Sequence, residues 1–206
     1  MKNAMQLKAL IRNIAKEKGI IPQALLQNYM LERLLERISV SSYKDKFILK
    51  GGMLIAAMVG IDNRTTMDMD ATLRGMPLSE ETVREALTHI MALDLDDNVT
   101  FSLSRIEPIR EDDVYGGYRA SISAVFDTIR VALKIGLTTG DKITPKEILY
   151  HFALMFEDRN IDIMAYNLET AMISGWALYQ KNFSYAQDIP WADIMSAVRA
   201  VDKLIS

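Results

Sequence analysis

Two aspartates, Asp68 and Asp70, alternate along residues 67–73, a segment whose pattern predicts a strand. Residues two apart in a strand point to the same face, so the two carboxylates would lie side by side. Like charges so close repel each other unless a cation lies between them. Oxygen ligands of this kind suit Mg²⁺, which proteins hold through one or two carboxylates together with substrate phosphates. The pair therefore predicts a magnesium site.

A glycine pair, Gly51 and Gly52, precedes these aspartates and follows a short apolar run that ends at Lys50. A second apolar segment, residues 53–59, comes next, so the order indicates a strand, a glycine turn and a buried helix. Backbone N–H groups at the start of a helix bind anions. The glycines and the aspartates together would hold a nucleoside triphosphate, with phosphates on the glycines and the metal on the carboxylates.

Each part alone has an ordinary explanation. A glycine pair is usually just a turn, and an Asp-x-Asp pair usually makes a strand face soluble. Their joint order, with the strand, the glycines, the helix and the second strand in sequence, is what favours a nucleotide site.

The elements around this block indicate an α+β fold class, because helical and strand-like segments are mixed and the strands cluster. Helices are predicted over residues 4–18, 22–38, 79–93, 168–179 and 190–204. Strands are predicted over residues 99–109, 118–126, 129–137, 148–156 and 161–164. A turn is predicted at Asp62–Arg64, and Arg33 and Glu36 are expected to pair on the outer face of the second helix.

Composition excludes several classes of protein. The chain of 206 residues has no cysteine, which rules out disulfides, thiolate chemistry and cysteine-based zinc sites. The uncharged stretch over residues 51–61 is far shorter than a membrane span, and the first residues lack an apolar signal core. We therefore expect a cytoplasmic protein with no membrane partner.

The net charge of −3 is unevenly distributed. Residues 1–50 carry ten basic and four acidic side chains, and residues 61–115 carry five basic and thirteen acidic ones. A basic segment followed by an acidic one could place a polyanion such as RNA beside metal-binding carboxylates. Lys44, Lys46 and Lys50 would be the basic residues nearest the site. The alternative is that solvated helix faces differ in sign without functional meaning.

The segment LKGGMLIAAMVGIDNRTTMDMDATLRG resembles the signature of the AbiEii-type abortive-infection toxins, a branch of the nucleotidyltransferase superfamily. The resemblance continues in RVALKIGLTTGDKITPKEI and in IMAYNLET, and covers about residues 40–172. It implies a nucleotidyltransferase-like mixed sheet flanked by helices. The chain would then divide into N-terminal helices over residues 1–45, a core over residues 46–165 and a short helical part over residues 166–206.

The resemblance also implies a function. Such toxins form toxin–antitoxin pairs and transfer a nucleotide from an NTP, with Mg²⁺, to an acceptor such as a tRNA end. The antitoxin implied is a DNA-binding regulator encoded nearby. By position, Gly51 and Gly52 match the phosphate-facing glycines, Asp68 and Asp70 match the catalytic metal-binding pair, and Lys134 matches a lysine that contacts the nucleotide.

The chain departs from the family pattern at several positions. Met53 stands where a serine is frequent, and Gly136 stands where a third aspartate is usual. A third carboxylate is the natural general base for an acceptor hydroxyl, and neither Asp127 nor Asp141 has its position. An internal segment of the helical part after residues 166–170 is also missing, and a second copy of the chain could cover core exposed by that loss.

Two hypotheses follow from the sequence. The first is an active nucleotidyltransferase toxin that uses Asp68 and Asp70. The second is a catalytically degenerate family member that lacks the third carboxylate at Gly136 and keeps the fold as a nucleotide-binding or interaction protein.

Overall fold

The computed structural model describes residues 3–59, 67–109, 116–182 and 187–196. Its helices are α1 (Ala4–Lys18), α2 (Pro22–Val40), α3 (Gly51–Val59), α4 (Glu80–Met91), α5 (Leu168–Asn182) and a sixth over residues 191–196. Its strands are β1 (Phe47–Lys50), β2 (Asp68–Leu73), β3 (Val99–Ile109), β4 (Gly117–Phe126), β5 (Ile129–Thr138), β6 (Ile148–Ala153) and β7 (Asn160–Ala165). The predicted α+β class is confirmed. The turn predicted at Asp62–Arg64 and the end of the helix predicted over residues 190–204 lie outside the described residues.

All seven strands form one mixed sheet in the order β3-β4-β5-β2-β1-β7-β6. Strand β2 is antiparallel to β1 and parallel to β5, and β1 is parallel to β7. The outer pairs, β3–β4, β4–β5 and β6–β7, are antiparallel. The two central strands therefore come early in the chain and lie between strands that come late.

The two faces of the sheet differ in what covers them. One face is apolar and packs against α2 and α4; Met69 and Ile135 belong to it and are fully buried. Asp68, Asp70 and Lys134 alternate with these residues and so point to the opposite face. On that opposite face α3 packs against β2 and α5, beside the strand ends that carry the aspartates.

Helix α2 is buried on almost all sides, and the prediction that Arg33 and Glu36 lie on its outer face is wrong. The two residues are only 3% and 8% exposed, because the helix is packed against the sheet and against neighbouring helices. Arg33 lies 3.1 Å from Glu36 and 2.6 Å from Glu157, and Arg159 lies 2.6 Å from Glu36. The pair is thus part of a network of four charges whose other two members, Glu157 and Arg159, are exposed.

Arg37 makes a second buried network on the same helix. Its guanidinium donates to both carboxylate oxygens of Asp97, at 2.7 and 2.8 Å. It also donates to the backbone carbonyls of Leu93 and Val99, at 2.9 and 2.8 Å. Arg37 therefore fastens α2 to the segment between α4 and β3.

The helix ends follow the signals in the sequence. The Ser79 hydroxyl accepts a hydrogen bond from the Thr82 backbone N–H at 3.1 Å and caps α4. Gly19 ends α1 with φ of +66°, a left-handed conformation that glycine adopts readily. None of the described helices has the length and apolar character needed to cross a membrane.

Candidate active site

Helix α3 begins directly at the end of β1, so Gly51 and Gly52 are its first two residues and form no separate turn. Gly51 has φ of +74°, and a Cβ at this position would lie 2.6 Å from Oδ2 of Asp70. Both the backbone conformation and the close approach require glycine. The first N–H groups of a helix have no partner within it, so this helix start can donate to an anion.

The carboxylate of Asp70 lies between two glycines. Its residue pairs with Gly136 on β5, and a Cβ added to Gly136 would lie 2.5 Å from Oδ1 of Asp70. Asp70 therefore lies against position 136, where the sequence resemblance implied a third aspartate. Any side chain at position 136 would have to displace the Asp70 carboxylate.

Asp68 and Lys134 lie next to Asp70 on the same face of the sheet. They are directly opposite each other in the parallel β2–β5 pair. Asp68 is half-buried, and Lys134 is exposed. Asp70 lines the neighbouring pocket, whereas Asp68 and Lys134 are not among the described residues that line it.

The pocket has a volume of about 470 Å³ and opens beside the start of α3. Its lining combines the predicted glycines and Asp70 with residues from β1, the segment after β5 and helix α5. The lining residues are Lys50, Gly51, Gly52, Ile55, Asp70, Asp141, Lys142, Tyr166, Ala171 and Gly175. Three of the predicted site residues, Gly51, Gly52 and Asp70, therefore line a cavity of the size that binds small ligands.

Asp141 is a site residue whose role the sequence did not establish. Its Oδ2 accepts hydrogen bonds from Lys50 Nζ and from the Tyr166 hydroxyl, both at 2.5 Å, and from the Thr72 hydroxyl. The Thr138 hydroxyl donates to the same oxygen at 3.1 Å. The signal in the sequence was its place within LTTGDK, inside the segment that resembles the family.

Electrostatics keeps Asp141 ionised. Burial by itself would raise the pKa of its carboxyl, but hydrogen bonds from Lys50, Thr72 and Tyr166 outweigh burial and lower that pKa to about 2. Burial and the neighbouring Asp141 carboxylate raise the pKa of the Tyr166 hydroxyl above its usual value. Tyr166 is therefore a neutral donor and Asp141 a permanent anion at neutral pH.

Asp127, the other aspartate considered from the sequence, lies elsewhere. It occupies the turn between β4 and β5 with φ of +52°, and its carboxylate accepts from the Ala4 backbone N–H at 3.0 Å. Of the two candidates, only Asp141 is among the residues that line the pocket.

The segment that carries Asp141 is fastened to the start of α5. The side-chain amide of Asn167 donates to the carbonyls of Thr144 and Lys146, each at 2.9 Å. The Thr170 hydroxyl donates to the same Thr144 carbonyl at 3.0 Å. The start of α5 and the residue before it are thus tied to the segment that supplies Asp141 and Lys142 to the pocket.

The donor set fits one hard divalent cation. Asp68 and Asp70 supply two carboxylates on one face, and the described residues contain no group of three or more His, Asp or Glu side chains that could hold a metal. Two carboxylates suffice for Mg²⁺ when substrate phosphates and water complete its coordination. The arrangement can therefore hold a metal-bound triphosphate, with Lys50 and Lys142 as the cations in the pocket wall.

Comparison with known proteins gives one family and several distant structures, including two from Helicobacter pylori. No protein with a curated description matches the chain. JHP933 from Helicobacter pylori is 12% identical with a TM-score of 0.46, and the match covers 76% of this chain and 57% of that one. A protein from the same species that is provisionally assigned as a nucleotidyltransferase is 15% identical with a TM-score of 0.43, over 75% of this chain and 58% of that one. The chain therefore spans less than two thirds of the length of either structure.

The family comparison covers most of the chain. The model described as a nucleotidyl transferase AbiEii toxin of a type IV toxin–antitoxin system matches residues 33–174. These residues run from the middle of α2 into α5 and include every residue of the pocket wall except Gly175. A family of this kind implies an antitoxin partner. The chain belongs to the AbiEii nucleotidyl transferase toxin family.

Proposed function

We propose that this chain is a nucleotidyltransferase toxin that transfers a nucleotide from an NTP to an RNA acceptor such as a tRNA end. One observation carries the proposal: Gly51, Gly52 and Asp70 line a single pocket of about 470 Å³ together with Lys50. An anion-binding helix start, a carboxylate and a cation in one cavity are the groups that a metal-bound triphosphate requires.

Each residue has a distinct role in this proposal. The backbone N–H groups of Gly51 and Gly52 hold phosphate oxygens, and Asp68 and Asp70 hold Mg²⁺. Lys134, opposite Asp68, offsets phosphate charge from the open side of the site. When bound, Mg²⁺ supplies positive charge against the phosphate oxygens on which negative charge develops.

We add Lys50 to these residues. Its ammonium group lies in the pocket wall, directly before the glycines, and donates to Asp141 and to the Thr138 hydroxyl at 2.5 and 2.7 Å. Asp141 therefore fixes the position of Lys50 and leaves its charge beside the place where phosphates would lie. A lysine held in this way binds phosphate as a point charge.

A second candidate function is a catalytically degenerate protein that binds a nucleotide without transferring it. The specific observation in its favour is Gly136, which faces Asp70 without a carboxylate of its own. Asp141 is a poor general base, because its pKa is lowered to about 2 and its Oδ2 already accepts several hydrogen bonds. Binding with no transfer would identify this second function.

The partners in the proposal are those that the family implies. The antitoxin is a DNA-binding regulator encoded nearby, and the site of action is the cytoplasm, which contains both NTPs and tRNA. Association of two copies of the chain stays a prediction, as do the boundaries at residues 45 and 165.

The experiment separates transfer from binding. The protein is incubated with Mg²⁺, each labelled NTP in turn and total tRNA, beside the variant Asp68→Asn/Asp70→Asn. We expect label on the RNA with the parent protein and none with the variant. A thermal-shift measurement with Mg²⁺ and each NTP runs in parallel. Stabilisation without transfer would favour the degenerate function, and absence of both from a folded protein would overturn the proposal.

A further inference from the structure

The sheet continues beyond the aspartates as an open wing, defined here as the face of β3, β4 and β5 that no described helix covers. Along β5, every second residue is buried on the helix-covered face, and the residues between them are exposed or half-exposed. Strand β4 follows the same alternation, with Ala120, Ile122 and Ala124 buried on the covered face. The wing lies on the same face as Asp68 and Asp70, because in-register neighbours point the same way.

The wing is basic. Four cations project from it: Arg105, Arg119, Arg130 and Lys134. Glu107 is the single acid among its described residues, and Arg105 already pairs with it at 2.9 Å. This charge stands out because the segment that includes β3, residues 61–115, is strongly acidic overall.

The cations begin at the candidate site and lead away from it. One row across the strands runs from Asp68 through Lys134 and Ser121 to Arg105. The adjacent row runs from Asp70 through Gly136 to Arg119 and ends at Glu107 on β3. With neighbouring strands about 4.8 Å apart, Arg119 lies about 10 Å from the Asp70 strand. A chain bound along the wing would therefore place its end at the aspartates.

The chemistry of the wing fits phosphates better than it fits a protein partner. Between the cations lie hydroxyl donors, Ser102, Ser121 and Ser123, and the Arg130 guanidinium contacts the Ser123 hydroxyl at 3.2 Å. No described residue of the wing is aromatic, and its described apolar members are Ile109, at the end of β3, and the smaller Val125 and Ala132. Protein interfaces need an apolar core, whereas phosphates are held by arginine, lysine and serine.

We propose that the wing binds the phosphate backbone of the RNA acceptor and delivers its end to Asp68 and Asp70. This inference rests on the proposed function, because it assigns the place of the acceptor in the same site. It differs from the N-terminal path expected from the sequence, of which Lys50 lies in the pocket wall. Arg33 and Arg37 are buried in α2, and Lys44 precedes β1 at the end of that strand opposite the site. Without aromatic platforms, the binding is independent of base sequence.

The test compares two double variants that remove the same charge. Arg119→Gln/Arg130→Gln neutralises the wing. Lys8→Gln/Arg12→Gln, on the exposed side of α1, is the matched control. Binding of a fluorescein-labelled single-stranded RNA of twenty nucleotides is followed by fluorescence anisotropy over a series of salt concentrations. Thermal melting of each variant checks that it is folded.

We expect the wing variant to bind this RNA about tenfold more weakly, and the slope of log Kd against log salt to fall by about 1.4. The control should bind like the parent. The proposal would be overturned by an equal loss of RNA affinity in both variants or by no loss in the wing variant. It would also be overturned if the parent did not bind RNA. Tighter binding of poly-L-glutamate than of RNA, with the same dependence on Arg119 and Arg130, would also overturn it and indicate an acidic protein partner.

Nucleotide binding is measured on the same variants, so that the two proposals fail separately. The wing variant should keep the parent's affinity for Mg²⁺-ATP, since neither arginine lines the pocket. RNA binding without nucleotide binding in the parent would contradict the proposed function and leave the wing standing. Nucleotide binding without RNA binding in the parent would contradict the wing proposal and leave the proposed function standing.

Discussion

The carboxylate of Asp70 occupies the space that a side chain at Gly136 would need, with 2.5 Å between Oδ1 and a Cβ added to the glycine. Gly51 limits the same carboxylate from the other side, at 2.6 Å from Oδ2. Position 136 and the orientation of the Asp70 carboxylate are therefore coupled, because any side chain at position 136 would have to displace that carboxylate.

Replacing Gly136 by alanine tests this relationship. The added methyl group must displace the end of the Asp70 side chain, which can rotate, so the melting temperature should change little. The affinity for Mg²⁺-nucleotide should fall about tenfold, which corresponds to about 1.4 kcal/mol. Isothermal titration measures that affinity.

Gly116→Ala is the control, because a Cβ there meets no atom within 4 Å. Unchanged affinity in Gly136→Ala would contradict the coupling, and Gly136→Asp alone should not restore a working third carboxylate.

The ionised state of Asp141 should contribute to stability in a pH-dependent way. Its pKa falls from 3.8 to about 2 on folding, which corresponds to about 2 kcal/mol. Because the pKa is lowered in the folded state, this contribution is complete above about pH 4 and is lost as the pH falls through 2. Urea unfolding should therefore show Asp141→Asn less stable than the parent at pH 7, with the difference narrowing toward pH 2. The exposed Asp158→Asn should show no such trend.

Removing the charge of Lys50 should affect both binding and stability. Lys50→Met keeps the aliphatic stem but takes the cation from the pocket and from Asp141, so Mg²⁺-nucleotide affinity should fall about tenfold. Lys44→Met, on an exposed residue before β1, is the control and should bind normally. The double variant Lys50→Met/Asp141→Asn should lose less stability than the two single losses combined, because the two groups interact directly. If the stability loss of the double variant equalled the sum of the two single losses, Lys50 and Asp141 would not stabilise each other.

The buried arginine of α2 should be a large contributor to stability. Arg37→Met leaves Asp97 and two backbone carbonyls without their donor, and should lower the free energy of unfolding by about 3–5 kcal/mol. Arg84→Met removes an exposed pair with Glu80 and should cost about 0.5 kcal/mol or less. Chemical denaturation compares the two variants. Similar small losses of unfolding free energy in both variants would mean that the hydrogen bonds of Arg37 contribute little to stability.

Local patterns in the sequence predicted local features well. The two-residue period placed Asp68 and Asp70 on one face of a strand, and the glycine pair marked the start of a helix. The same reasoning failed for Arg33 and Glu36, because a charged residue on a helix is expected to face water. Their burial depends on packing of α2 against elements far away in the chain, which periodicity does not contain.

The rest of the candidate site could not be predicted, because it depends on which strands are neighbours. Lys50, Thr72, Asp141 and Tyr166 come from four separate parts of the chain and meet only when β1 and β2 insert between β5 and β7. The basic wing could not be predicted from the sequence for a related reason. Its cations alternate with buried residues along three strands, so no segment of the sequence is conspicuously basic.

The order of strands in the sheet has a consequence for synthesis of the protein. The early strands β1 and β2 lie beside the glycines and carry the aspartates. Strand β5, the neighbour of β2, leaves the ribosome about 60 residues after β2, and β7, the neighbour of β1, about 110 residues after β1. Asp141 and Tyr166 close the pocket only after those strands are in place. A nascent chain therefore has no complete site until almost all of the matched segment has emerged, and contacts so distant in sequence form slowly. The candidate site is therefore assembled only late in the synthesis of this segment.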